Sequence, residues 1–229
     1  MIASSEHRQD VLGLPGVPDA PGVPAFPAVN VVTDLIARAV IVVLFSLMSY
    51  NLLGEFLRTG HLTGLLLLTS EATVVVLTLV RRRPQFVDRS PAGLFTTALS
   101  IAGPPLLRVV DGSHMVPDAV TAAVSASGLG LVVFGKVALG RSFGIAPANR
   151  GIVARGPYLM VRHPIYAGYL LTHLAFFVAH PSPWNAAVIL IADGALVMRA
   201  LIEERVLSAD EQYRSYCQRV SWHLVPGLF

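Results

Sequence analysis

Charge is scarce in this chain: only 14% of its 229 residues are charged, against about 25% in an ordinary soluble domain. That shortage argues against a water-soluble fold, whose surface is built largely from such side chains. Cysteine is nearly absent as well. The single Cys217 excludes an internal disulfide and supplies no thiolate cluster for zinc, so no metal site is expected and the thiol reads as a bystander. The first 30 residues hold no apolar run long enough to span a bilayer. They do not pair a basic segment with an apolar core, so no signal peptide is expected there.

What the chain does have is apolar length. Hydrophobic residues make up 54% of it, the mean hydropathy is +0.63, and the apolar residues fall in long blocks. The expected class is an all-α integral membrane protein of about six transmembrane helices. The blocks place these at 31–53, 62–80, 92–110, 117–138, 165–180 and 184–202. Two of them are irregular. Pro104 and Pro105 interrupt the third, which predicts a kink or break, and the fifth is short, ending at His180-Pro181.

Three regions follow. Residues 1–30 form a Pro/Gly-rich tail in which Pro15, Pro18, Pro21, Pro24 and Pro27 recur at every third position, as suits a polyproline II segment. Residues 31–138 are nearly pure span and short loop, and residues 139–229 carry most of the conspicuous polar and aromatic side chains. The formal charge of +3 does not point to nucleic acid, because the basic residues sit in short loops between spans. Arg81, Arg82, Arg83, Arg89, Lys136, Arg141, Arg150, Arg155 and Arg162 fall on one side, and only Arg58 and Arg108 on the other. Positive-inside counting therefore puts both termini, the 139–164 loop and every plausible polar site on the cytoplasmic face.

The densest constellation runs from Gly156 through Pro157, Tyr158, Arg162, His163, Pro164 and Tyr166 to Gly168. Gly151 and Gly156 permit tight backbone turns, whereas Pro157 and Pro164 restrict them, so a fixed loop ahead of a membrane helix is expected. Pro164 suits the first helical turn, where free N–H groups attract anions. His163 and Tyr166, three apart, would share a face. Arg199 and Glu203 are neighbours four apart near the end of the last span, while Glu204 points elsewhere on that helix. Taken singly, these residues read as interfacial anchors, an aromatic belt and a snorkelling arginine. Asp34 and Arg38 form a favourable structural pair. Glu71, His173 and Asp193, inside spans, are expected to be hydrogen-bonded between helices, with a lesser weight on catalysis.

Taken together, the motifs resemble the isoprenylcysteine carboxyl methyltransferase family, including its bacterial members. The resemblance rests on Gly156-x-Tyr158-x-x-x-Arg162-His163-Pro164-x-Tyr166-x-Gly168, on the lead-in Leu139-Gly140-Arg141-Ser142-Phe143, and on Arg199-x-x-x-Glu203-Glu204. Tyr213, Tyr216 and the closing Val225-Pro226-Gly227-Leu228-Phe229 also fit, so the likeness covers roughly 139–229. It implies an S-adenosylmethionine-dependent membrane enzyme. Arg150, Gly151, Ile152, Val153, Tyr158, His163, Pro164, Ile165 and Tyr166 would form the cofactor pocket. Arg199 would hold the acceptor carboxylate, and Glu203 would position the acceptor or Arg199. The implied partners are a lipophilic acceptor, a prenylated cysteine or lipid-like acid, and membrane lipid. No soluble-type glycine-rich strand–turn–helix is present, which argues against a Rossmann cofactor fold. Three other readings stand beside it. One is methylation of a phospholipid amine or a thiol. Another is an NADPH-dependent sterol-type membrane reductase, which shares an R-H-P-x-Y-x-G segment but tends to follow it with an acid where this chain has Tyr169. The last is a scaffold or transporter without catalysis.

Overall fold

The computed structural model describes residues 31–59, 62–84, 86–88, 90–108, 110, 116–145 and 147–228, with the backbone alone of 33, 52, 55, 56, 59, 62–67, 86 and 87. The proline-rich segment at 15–27 lies outside the described residues. The chain is an all-α membrane protein, and its helices fall where the apolar blocks predict: α1 Val31–Thr59, α2 Leu62–Val80, α3 Pro91–Ala102, α4 Asp118–Leu139, α5 Pro164–Ala179 and α6 Pro183–Leu207. A short polar helix, α7 Glu211–Arg219, follows. Stretches of α1, α4 and α6 are long and apolar enough to cross a membrane, and α2 and α5 contribute shorter apolar helices. The third block is the one that changed. Its helix stops at Ala102 and passes into a 3-10 turn over Pro104–Leu106, because two consecutive prolines remove the N–H donors the next turn needs. Twelve residues rise only about 18 Å, too short to cross a bilayer alone.

Local chemistry sets the helix starts. Ser90 Oγ accepts from Gly93 N at 3.0 Å with Pro91 in the first turn, and Ser182 Oγ accepts from Asn185 N at 3.1 Å ahead of Pro183. At the start of α1, Asp34 accepts from Arg38 and from Arg81, each at 2.8 Å, and Arg38 Nη2 reaches the Arg81 carbonyl at 3.1 Å. The expected Asp34–Arg38 pair is thus structural, tying the first turn of α1 to the end of α2.

Helices α4 and α5 run antiparallel and pack closely where side chains are smallest. A Cβ added to Gly168 of α5 would stand 2.6 Å from the Gly128 carbonyl of α4, and one added to Gly135 would stand 2.7 Å from Ile165 Cγ1. Such small residues let membrane helices approach without a hydrophobic driving force. Gly168→Leu is accordingly expected to lower the midpoint of thermal unfolding in detergent by overpacking, costing about 1–3 kcal/mol or more. An unchanged midpoint would argue against this contact. The core runs through Val74, Leu77, Val132, Ile165, Leu196 and Ala200. Exposed apolar side chains such as Leu47, Leu79, Phe95, Phe134 and Leu190 cover the outside of the bundle, as lipid contact requires.

Several ionisable side chains inside the spans are partnered between helices. Lys136 is 1% exposed, with Nζ 3.1 Å from the Ser70 carbonyl, 2.7 Å from Ser70 Oγ and 3.9 Å from Glu71 Oε1. His173 Nδ1 meets Asp193 Oδ1 at 2.5 Å, linking α5 to α6. At the opposite end of the bundle, buried Asn185 accepts from Arg108 N at 3.0 Å and donates to the Arg108 and His180 carbonyls, each at 2.8 Å.

Candidate methyltransferase site

The site lies at the end of the bundle where α5 begins and α6 ends. The 3-10 turn Gly156–Leu159 leads through Arg162 and His163 into Pro164, the first residue of α5. Gly156 has φ +58° and Gly151 φ +99°, the left-handed geometry that glycine adopts without strain. Both turns arise as the sequence predicts. A two-residue antiparallel pairing of Ala148–Asn149 with Phe86–Val87 holds the 147–153 loop against the segment after α2.

Two adjacent acids of α6 then divide the site between them. Successive helical residues diverge by about 100°, and Glu203 and Glu204 take different hydrogen-bond partners. Glu203 Oε2 accepts from the Tyr166 hydroxyl at 2.7 Å. Glu204 Oε1 lies 2.9 Å from His163 Nε2 and 2.7 Å from His223 Nδ1, and Glu204 Oε2 accepts from Arg162 Nη1 at 3.2 Å. An ionised carboxylate only accepts, so each of those ring nitrogens carries the proton in this arrangement. The His163 and Tyr166 rings stack, with centroids 5.3 Å apart and planes at 4°.

Helix α7 and the segment after it close this end of the bundle. Arg162 N donates to the Trp222 carbonyl and His163 N to the His223 carbonyl, each at 2.9 Å. Arg162 Nε donates to the Val220 carbonyl at 2.8 Å and Nη2 to the Cys217 carbonyl at 3.3 Å. Tyr216 donates its hydroxyl to the Tyr158 carbonyl at 2.7 Å. Arg162, an interfacial anchor when taken alone, instead ties the motif loop to the C-terminal segment.

The arginines supply the positive charge. Arg199 Cζ lies 5.3 Å from the Tyr166 ring centroid, and Nη2 donates to the Ile145 carbonyl. Arg199 is buried, its Nε has no hydrogen-bond partner among the described residues, and no described carboxylate forms an ion pair with it. Arg150 is buried as well. Burial brings its guanidinium down to about 10, with Arg81 adding to that and the Glu203 charge opposing it, so it remains protonated at neutral pH. Burial, then the Glu203 charge, pushes the Tyr158 phenol well above its ordinary range and keeps it neutral.

Of the residues singled out in the sequence, Arg150, Tyr158, His163, Tyr166, Arg199 and Glu203 converge. Gly151 shapes the loop, with its N–H donating to Asn149 Oδ1 at 2.9 Å, and Pro164 starts α5. Ile165 is a core residue packed beside Gly135 of α4, and half-buried Ile152 packs on the Tyr213–Tyr216–Val220 cluster, while Val153 is half-buried in the loop. Sequence reasoning missed His223 and undervalued Glu204. Glu204 has a visible signal in the acidic doublet opposite Arg162-His163, but His223 has none, since its place depends on how the C-terminal segment folds back.

Comparison with known proteins adds one finding. Residues 119–214 match the family model described as Phospholipid methyltransferase. The match runs from the first turn of α4 to the first turn of α7, so it contains the motif loop, Arg199 and the acidic doublet but stops short of Tyr216 and His223. It falls in the same broad group of membrane methyltransferases as the family that the motifs resemble. It supports a membrane methyltransferase in general, a family that generally uses S-adenosylmethionine. A search among curated proteins returns no match.

Proposed function

We propose that the chain is an S-adenosylmethionine-dependent membrane methyltransferase acting on a lipophilic acceptor with an anionic reacting end. Carboxyl O-methylation of an isoprenylcysteine or similar lipophilic carboxylate is the leading activity. The observation that carries this reading is Arg199: a buried guanidinium with no acidic partner among the described residues. An unpaired buried charge is costly, and a bound anion removes that cost.

The residues present fit the cofactor. Arg150 is a buried cation, and Gly144 gives it room, since a Cβ there would stand 2.1 Å from Arg150 Nη1. The first-turn N–H groups of α5 lack intrahelical acceptors and favour a carboxylate. Arg150, Tyr158 and the start of α5 would hold S-adenosylmethionine. When bound, it supplies a methyl group on a sulfonium, which the acceptor oxygen takes as the carbon–sulfur electron pair returns to sulfur.

The rest falls to the chain's own side chains. Arg199 orients the acceptor anion, and the apolar surroundings keep water out, which favours a reaction that brings opposite charges together and cancels them. A carboxylic acid near pKa 3.5 is already ionised at neutral pH, so no general base is needed. The excess of Lys and Arg at this end of the bundle supports a cytoplasmic placement, where a soluble cofactor is available.

A second reading, N-methylation of a phospholipid amine, is favoured by the 119–214 match. There the acceptor phosphate would occupy Arg199 and Glu203 would take the amine proton, since an amine near pKa 10 must lose it to react. The deciding experiment incubates purified protein with labelled S-adenosylmethionine, an S-prenylated N-acylcysteine, phosphatidylethanolamine and a lipophilic thiol. Label expected in a base-labile methyl ester supports the leading reading. Label confined to the amine would replace it with the second, and NADPH binding without S-adenosylmethionine binding would overturn both.

A further inference from the structure

Arg199 and Glu203 are four apart on α6, the spacing at which opposite charges on a helix pair readily. Here they do not pair. Glu203 turns to the Tyr166 hydroxyl at 2.7 Å, and Arg199 lies over the face of that same tyrosine, 5.3 Å from its centroid. One ring on α5 thus touches both members of a pair on α6 that would otherwise neutralise each other. Its edge binds the carboxylate, and its face supports the guanidinium by a cation–π contact that leaves the charge uncancelled.

The tyrosine is held for this task. It is buried, it stacks on His163, and His163 is fixed by Glu204. Each acid of the doublet therefore holds one of two stacked rings, which sets where the tyrosine hydroxyl points. We propose that Tyr166 is a positioning residue that keeps Glu203 off Arg199 and so reserves the arginine's charge for the acceptor's anionic group. The inference rests on the reading of Arg199 as the acceptor's anchor, and it gives Tyr166 a part in acceptor affinity beyond the cofactor pocket that the motif implies.

Tyr166→Phe keeps the ring, its stack and its packing, so the variant is expected to fold. It removes the donor that, among the described residues, holds Glu203 away. The half-buried carboxylate, left without that donor, then turns to the cation one turn away on its own helix. The KM for an S-prenylated N-acylcysteine is expected to rise about tenfold, while kcat changes by less than about threefold and the Kd for S-adenosylmethionine holds. Adding Glu203→Gln removes the competing charge and is expected to recover most of the lost affinity, so the double variant outperforms Tyr166→Phe.

A purely structural tyrosine would give a double variant no better than the single one, and that result would overturn the inference. So would a Tyr166→Phe variant whose cofactor Kd rises while its acceptor KM stays put. Failure of the underlying reading looks different. It shows as a wild-type protein that leaves the acceptor unmethylated, or as Arg199→Ala with an unaltered acceptor KM whatever residue stands at 166.

Discussion

Arg199→Ala is expected to lower kcat/KM for the acceptor by about a hundredfold or more, while the Kd for S-adenosylmethionine changes by less than about threefold. Truncating one partner of a buried charge pair costs about 2–5 kcal/mol, and each 1.4 kcal/mol is a factor of ten. Arg199 meets the conditions for the upper part of that range: it is buried, and no described acid shares its charge. Two hydrogen-bonding functions are lost at once, the anion contact and the donation to the Ile145 carbonyl that steadies the loop. Arg199→Lys separates them. It keeps a charge but not the planar fork, so it should fall between wild type and alanine. Steady-state kinetics with titration calorimetry for the cofactor reads both quantities. An acceptor KM that is indifferent to Arg199→Ala would remove the basis for an anionic acceptor.

Glu204→Ala is expected to act on the framework. That carboxylate serves Arg162, His163 and His223 together, at 3.2, 2.9 and 2.7 Å. Glu204 is half-buried, so the loss should fall below the about 3–5 kcal/mol of a fully buried ion pair yet still be a sizeable share of a typical stability of about 5–15 kcal/mol. The thermal midpoint in detergent should fall by several degrees, and limited proteolysis should cut first within 217–224, the segment tied to this cluster through Arg162 and His223. Cofactor affinity should weaken more than tenfold, because His163 orients the first turn of α5 through its stack on Tyr166. Glu204→Gln should recover part of the stability, since its amide oxygen still accepts. Equal midpoints for wild type and Glu204→Ala would show that the cluster holds nothing. The contrast with Glu203 is built into the helix: one acid holds the framework and its neighbour accepts from the Tyr166 hydroxyl.

Much of this molecule was legible in its residues. The helix positions follow from apolar length, and the break in α3 follows from Pro104-Pro105, because chain energetics in a bilayer depend on local composition. The loop before α5 follows from Gly151, Gly156 and Pro164, whose backbone preferences are intrinsic. The intramembrane ionisable residues Glu71, His173 and Asp193 announce polar partners, since none can sit alone in hydrocarbon. Their partners were not legible. Lys136 reads as a loop cation near the end of its span, yet its side chain runs back to Ser70, a residue 66 positions away.

The site divides along the same line. The sequence by itself determined an all-α membrane protein with its polar chemistry gathered at 150–166 and 199–204, because helix length, turn residues and motif spacing are local properties. Only the tertiary structure decided that Glu203 meets Tyr166, that Glu204 meets His163 and His223, and that Arg199 keeps its charge unspent. Those outcomes depend on the rotation of α6 against α5 and on the C-terminal segment folding back over Arg162. Packing of whole helices sets them, and the spacing along one helix would have paired Arg199 with Glu203 instead.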